Sequence, residues 1–283
     1  MRLRNAKSTF RSDLLIRLAA AFREALFPNK CLSCGRFFHP ENAEAPLPAL
    51  DLPACANIFD ALMAGFFCPD CRPAFYPVAS PKCTLCGEMF KSRTDTDHIC
   101  GECLSETIYF DHIRSAGQYD GALRTAIHAL KYNQKTQLAR PLGRLLFHTL
   151  NSYPEIGMPD MILPVPLHPA KIKNRGFNQS ALILAQWPEF FRQTGHLMPD
   201  IALDRKILRR IRKTPTQTGL SRQARKENIR RAFSVVKKGP IQEKNLLLLD
   251  DVCTTGATVN ECARVLKSGG AACVNVLTLA RAA

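Results

Sequence analysis

From about residue 109 the chain alternates short apolar runs with segments whose apolar residues recur every three or four positions. "IYFDHIRSAGQY" (108–119) reads as strand material running into a turn. "DGALRTAIHALKY" (120–132) reads as a helix with Leu123, Ile127 and Leu130 on one face, and "QLARPLGRLLFHTL" (137–150) as a second helix. "DMILPVPLHPAKIKNRGFNQSALILAQWPEF" (160–190) gives a short apolar strand, a proline-punctuated loop and a helix from about Gln179. "AFSVV" (232–236) reads as a strand, and "NLLLLD" (245–250) as a buried one. "ATVNECARVLKSGG" (257–270) is a helix with a glycine stop, and "ACVNVLTLA" (272–280) a last strand. Strands alternating with helices predict an α/β fold over 109–283, with a mainly parallel sheet flanked by helices.

The front of the chain is patterned differently. At 10–27, Leu14, Leu15, Leu18, Phe22 and Leu26 share one helical face, Arg11, Arg17 and Arg23 lie opposite, and Pro28 ends the pattern. This amphipathic helix is expected to pack on the body of the protein, with contact to a membrane surface as the alternative. Residues 28–108 hold few long periodic segments but nine of the 12 cysteines. Eight form four CxxC pairs: Cys31/Cys34, Cys68/Cys71, Cys83/Cys86 and Cys100/Cys103. Each pair brings two thiolates to one side of a tight turn, and two such turns enclose a tetrahedral zinc ion. The last two pairs are 13 residues apart, a compact ribbon spacing, and the first two flank a 33-residue insertion. The expected pairing is therefore first with second and third with fourth, giving two structural zinc sites; an interleaved pairing is the alternative. His39 and His98 are the nearby histidines able to replace a ligand.

With 46% apolar residues the chain is no disordered polymer, and it contains no apolar run of 18 residues, so no spanning helix is expected. The N-terminus lacks a secretory pattern, which makes a cytoplasmic protein the expectation. The net charge of +15 is uneven: residues 1–110 carry 12 basic and 12 acidic groups, the remainder 27 and 12. Between Arg205 and Arg231 stand 11 basic residues and one acid, Glu227. That density implies a polyanionic partner or a phosphate-rich substrate.

In "LLLLDDVCTTGATVNEC" (246–262) a buried strand ends in Asp250 and Asp251, and Thr254, Thr255, Gly256, Ala257 and Thr258 lead into a helix. Ligands of parallel sheets bind beyond the C-terminal strand ends. Small residues let backbone N–H groups approach a phosphate, threonines add donors, and the helix N-terminus adds a favourable dipole. Carboxylates do not belong on the same phosphate. They accept from ribose hydroxyls, directly or through hydrated Mg2+. The motif therefore suits a ribose 5-phosphate. It has neither the GK[ST] of a Walker loop nor the glycine spacing of a dinucleotide fingerprint.

"LLLLDDVCTTGAT" resembles the phosphoribosyl-diphosphate signature of type I phosphoribosyltransferases, and "PVPLHPAKIKNRGFNQ" and "KTPTQTGLSRQARKENIRRAF" resemble the other two signatures of the ComF family. The cysteine knuckles are similar to that family's zinc-binding region, and the likeness spans about 28 to 281. The resemblance implies that Asp250 and Asp251 hold the ribose hydroxyls and Thr254 to Thr258 the 5-phosphate. It implies that Lys173 and Arg175 lie on the diphosphate-side loop, and that Lys213, Gln217, Arg222 and Arg225 ride on a closing hood. It also implies Mg2+ with phosphoribosyl diphosphate, single-stranded DNA as a partner during DNA uptake, and contact with the competence helicase or uptake machinery. Cys253, where a phosphate-contacting turn begins, has no evident partner base and is not expected to be a nucleophile. Transfer of the ribosyl group to an unidentified acceptor is the alternative reading. No aromatic run in the sequence resembles a base-stacking platform, and the sequence gives no oligomeric state.

Overall fold

The computed structural model describes residues 28–40, 55–90, 96–193, 201–215 and 221–282, without the side chains of 55–57 and 222. The helix expected at 10–27, Gln217 and the Arg222 side chain therefore lie outside the described residues. Two short antiparallel strands, β1 (Asn29–Lys30) and β2 (Phe37–Phe38), flank the first CxxC turn. They are followed by α1 (Cys55–Met63) and α2 (Gly101–Ser105). The α/β part begins with β3 (Ile113–Gln118), α3 (Gly121–Tyr132) and α4 (Ala139–Asn151). Next come β4 (Met161–Pro164), α5 (Pro169–Arg175), α6 (Gln179–Leu184) and α7 (Trp187–Gln193). The chain continues through β5 (Ala202–Leu203), β6 (Leu208–Arg210), α8 (Arg222–Ile229) and β7 (Phe233–Val235). It ends with β8 (Asn245–Cys253), α9 (Ala257–Ser268) and β9 (Cys273–Arg281).

The five-stranded sheet has the order β3-β9-β8-β4-β5, and every pairing in it is parallel. The leucine run forms its central strand. Strand alternation sends Leu247 and Leu249 into one apolar cluster with α3, α4 and Trp187, and Leu246 and Leu248 into another with α9. That two-sided burial is why the leucine run of β8 has no polar face.

Side-chain caps start three of the helices around the sheet. Asp120 accepts from Gly121 N (2.8 Å) ahead of α3, Asn178 from Ser180 N (3.0 Å) ahead of α6, and Ser221 from Ala224 N (3.2 Å) ahead of α8.

Three sequence expectations are revised. "AFSVV" leaves the main sheet: β7 pairs antiparallel with β6 in a separate ribbon. The proline-punctuated loop contains a short helix, α5, with Pro169 in its first turn and Gly176 in the left-handed conformation (φ 89°) at its end. The cysteine-rich front also has more core of its own than its pattern indicated. Ile58, Phe59, Leu62, Met63, Phe67 and Phe75 are buried, and they belong to the same apolar cluster as Leu142 of α4 and Leu249 of β8. No described helix is long and apolar enough to cross a membrane.

Candidate functional site: two cysteine clusters and a cation-lined cleft

The structure brings Cys31, Cys34, Cys68 and Cys71 together, and separately Cys83, Cys86, Cys100 and Cys103; in each group the sulfurs lie within 4.8 Å of one another. The leading turns repeat the same backbone bonds. Cys31 N donates to Arg36 O (2.9 Å) and Gly35 N to Cys31 O (3.0 Å); Cys83 N donates to Glu88 O (2.8 Å) and Gly87 N to Cys83 O (3.0 Å). Gly35 and Gly87 take positive φ, 75° and 66°, which a side chain resists.

Cys34 and Cys68 Sγ are 3.8 Å apart, as are Cys86 and Cys100 Sγ. Four sulfurs about 2.3 Å from a central zinc ion have an edge of about 3.8 Å, so the donor sets fit such an ion. Against the cost of burial, backbone N–H groups lower the Cys31 thiol to about 6 and the Cys83 thiol to about 7. Burial raises Cys71 and Cys86 to about 12. Neither His39 nor His98 joins a cluster; the His98 ring packs on Phe90, 4.3 Å between centroids.

Beyond the C-terminal end of β8 opens a cleft of about 830 Å³, lined by Asp250, Asp251, Thr254, Gly256, Ala257 and Thr258. Successive residues of a strand point opposite ways, so the two carboxylates meet different neighbours. Asp251 is buried, with Lys131 Nζ of α3 2.8 Å from its Oδ2. Although burial works against the ammonium, the Asp251 charge holds Lys131 above its ordinary pKa. Asp250 Oδ1 accepts from Ser180 Oγ of α6 (3.1 Å) and from Asp251 N (2.9 Å). Burial and then the Asp251 charge push Asp250 up to about 7. After the carboxylates, Gly256 takes a left-handed φ of 75° and stands at the N-cap of α9 with no side chain to offer its first turn.

Facing the carboxylates and this helix end are Lys171, Arg175, Arg210 and Arg225, with Arg124 at the rim. Lys171 is lowered from its ordinary pKa by burial and by the charges of Arg210, Arg175 and Lys131. A cluster of like charges with so few acids among them is arranged for an anion of several charges.

Of the expected residues, Arg175 and Arg225 line the cleft, but Lys173 does not. In α5 the positions four apart, Lys171 and Arg175, share a face, while Lys173 lies exposed on the other side. Lys213 is exposed and outside the lining. The Thr255 hydroxyl accepts from Ala257 N (3.4 Å), and the residue borders a smaller neighbouring pocket instead. Cys253 is buried, and burial raises its thiol pKa, as suits a packing residue.

The structure also assembles an aromatic lip. Tyr119 Oη is 2.7 Å from His128 Nε2, the His128 and Tyr132 rings are 5.3 Å apart, and the Arg175 guanidinium lies 5.4 Å from the Tyr132 centroid. Tyr132 is 65% exposed. Burial, with Lys131 and Arg124 nearby, depresses the His128 pKa.

Fold and site together define a parallel α/β protein with a carboxylate- and cation-lined cleft at the C-terminal end of its central strand, joined to two four-cysteine clusters. No family model matches the chain. Competence protein F of Haemophilus influenzae is 30% identical over 231 residues, 77% of this chain and 97% of that protein. DNA utilization protein YhgH of Escherichia coli K12 is 34% identical over 204 residues, covering 70% and 84%. Competence protein ComFC of Streptococcus pneumoniae is 27% identical over 219 residues, covering 76% and 87%. The chain belongs to the ComF family of competence and DNA-utilization proteins. A solved allosteric regulatory enzyme of purine biosynthesis is 20% identical, covering 48% of this chain and 24% of its own. Its TM-score of 0.29 is too low to carry an argument.

The raised Asp250 predicts a specific pH dependence. Between an unfolded carboxylate pKa of about 4 and the folded value of about 7, the native state holds a proton the unfolded state lacks. Stability therefore falls as pH rises through that window. Asp250→Asn is expected to match wild type in urea midpoint near pH 4 and to exceed it at pH 8. A difference that is the same at both pH values contradicts this electrostatic account.

Proposed function

We propose that this protein binds phosphoribosyl diphosphate with Mg2+ in the cleft, on a type I phosphoribosyltransferase-like fold. We further propose that it acts in the cytoplasm in DNA uptake; its relatives carry the names competence protein F and DNA utilization protein YhgH. One arrangement supports the ligand best: two carboxylates at the end of the central strand, beside a helix N-terminus, facing Lys171, Arg175 and Arg210. In this reading Asp250 and Asp251 accept from the ribose hydroxyls. Backbone N–H groups at Gly256 to Thr258 receive the 5-phosphate. The cations of α5 and β6 receive the diphosphate, and Mg2+ screens it as part of the ligand. The same cations would stabilise departing diphosphate if an acceptor attacked C1 of the ribose, so transferase chemistry is the companion reading. The two cysteine clusters, read as structural zinc sites, fix the front against the sheet.

Calorimetry with Mg2+ and phosphoribosyl diphosphate is expected to show binding by wild type and a loss of tenfold or more in Asp250→Asn and in Lys171→Met. Absence of binding by the folded, zinc-loaded wild type would remove this reading.

The aromatic lip favours a nucleobase of single-stranded DNA as a second ligand. Its rings and cations offer stacking and charge together. Stacking contributes about 1–3 kcal/mol per base, so Tyr132→Ala should weaken binding of an unpaired oligonucleotide by about 5- to 150-fold. The salt slope should stay the same, because no charge is lost. Unchanged affinity would leave the DNA contact to charge alone.

A further inference from the structure

We propose that Arg281 couples the second cysteine cluster to the phosphate-binding turn, so that metal occupancy of Cys83, Cys86, Cys100 and Cys103 sets the shape of residues 253–258. For its ligand-linked consequence the inference rests on the proposed phosphoribosyl-diphosphate site; the structural coupling itself does not.

Arg281 is the last residue of β9 and is 1% exposed. One arm of its guanidinium, Nη1, donates to Cys253 Sγ (3.0 Å) and to Thr254 O. The other, Nη2, donates to Glu88 Oε2 (2.8 Å) and approaches Cys86 Sγ at 3.7 Å. Cys86 belongs to the cluster, and Cys253 and Thr254 begin the turn that reaches Gly256 and α9. A single rigid fork therefore touches both sites. A pocket of about 320 Å³ has Cys86 and Cys103 on its wall together with Thr255, Gly256, Ala257 and Arg281, so the two sites border one cavity.

The knuckle is also fixed to the sheet. Ile113 N donates to Leu85 O (2.7 Å), Arg114 Nη2 to Thr84 O (2.9 Å), and a Cβ on Gly87 would stand 2.9 Å from Ile113 O. Movement of the knuckle relative to β3 is thus restricted, and a change in the position of Cys86 is passed to the guanidinium. Four thiolates around a divalent ion carry a net charge of −2, and Arg281 is a buried cation beside them. Second-shell donors of this kind orient metal ligands. Here the same donor holds a carbonyl of the turn. By linkage, a ligand that orders the turn tightens the metal site by the same factor that the metal tightens the ligand.

Hydrogen exchange on the zinc-loaded full chain tests this. Cys103→Ser, which removes a ligand from the second cluster, is expected to raise exchange at 253–258 by tenfold or more while β4 keeps its protection. Cys34→Ser, which alters the first cluster, is expected to leave 253–258 unchanged. Arg281→Met should show the loosened turn even when zinc-loaded. Arg281→Lys, which keeps the charge without the fork, should not restore it. In wild type, phosphoribosyl diphosphate should slow zinc loss to a chelator, and in Arg281→Met it should not. Equal exchange at 253–258 in wild type and Cys103→Ser overturns the coupling. So does a rise spread evenly over β4, β8 and β9. If wild type binds no phosphoribosyl diphosphate, the proposed ligand fails, and the exchange comparison still decides the coupling.

Discussion

The contact between Lys131 and Asp251 is the constraint on which the cleft depends. A buried carboxylate at the end of an apolar strand is costly unless a charge meets it. Lys131 reaches it from α3 at 2.8 Å and is itself nearly buried. Burial, and after it the charge of Asp251, raises the neighbouring Asp250. Because β8 lies between β9 and β4, its end falls at the middle of the sheet, where α3, α5, α6 and α9 all reach it.

The rest of the site answers that negative pair with excess positive charge. Lys171, Arg175 and Arg210 come from α5 and β6, and none sits opposite a carboxylate at ion-pair distance among the described contacts of the cleft. The cysteine-rich front is attached to this arrangement through shared apolar packing on one side of the sheet and through Arg281 on the other. Cys86 and Cys103 of the second cluster line the smaller pocket beside the cleft.

Features encoded within a few residues were legible in the sequence. The leucine run, the paired aspartates, the Thr-Gly-Ala-Thr turn and the CxxC pairs each state their geometry locally, and strand β8, helix α9 and both clusters stand where those patterns put them. What was not legible depends on long-range approach. Lys131 lies 120 positions from Asp251, and nothing around it marks it as a partner. Choosing Lys171 over Lys173 required knowing that the proline-rich loop turns helical, since only a helix places Lys171 and Arg175 on one face. The aromatic lip joins a residue after β3 to two on α3, so no run of aromatics announces it. Arg281 reads as an ordinary charge at a strand end until the fold buries it against two cysteines. The pairing of β7 with β6 was not legible either, because an apolar pattern of three residues does not say which strand it will pair with.

The central claim is that the end of β8 is a ribose-phosphate site. It is tested most directly by a crystal structure of the zinc-loaded protein with Mg2+ and phosphoribosyl diphosphate. The account predicts the 5-phosphate at the backbone of 256–258, the ribose hydroxyls at Asp250 and Asp251, and the diphosphate beside Lys171 and Arg175. A ligand bound elsewhere, or one that places a phosphate against the two aspartates without an intervening cation, contradicts it.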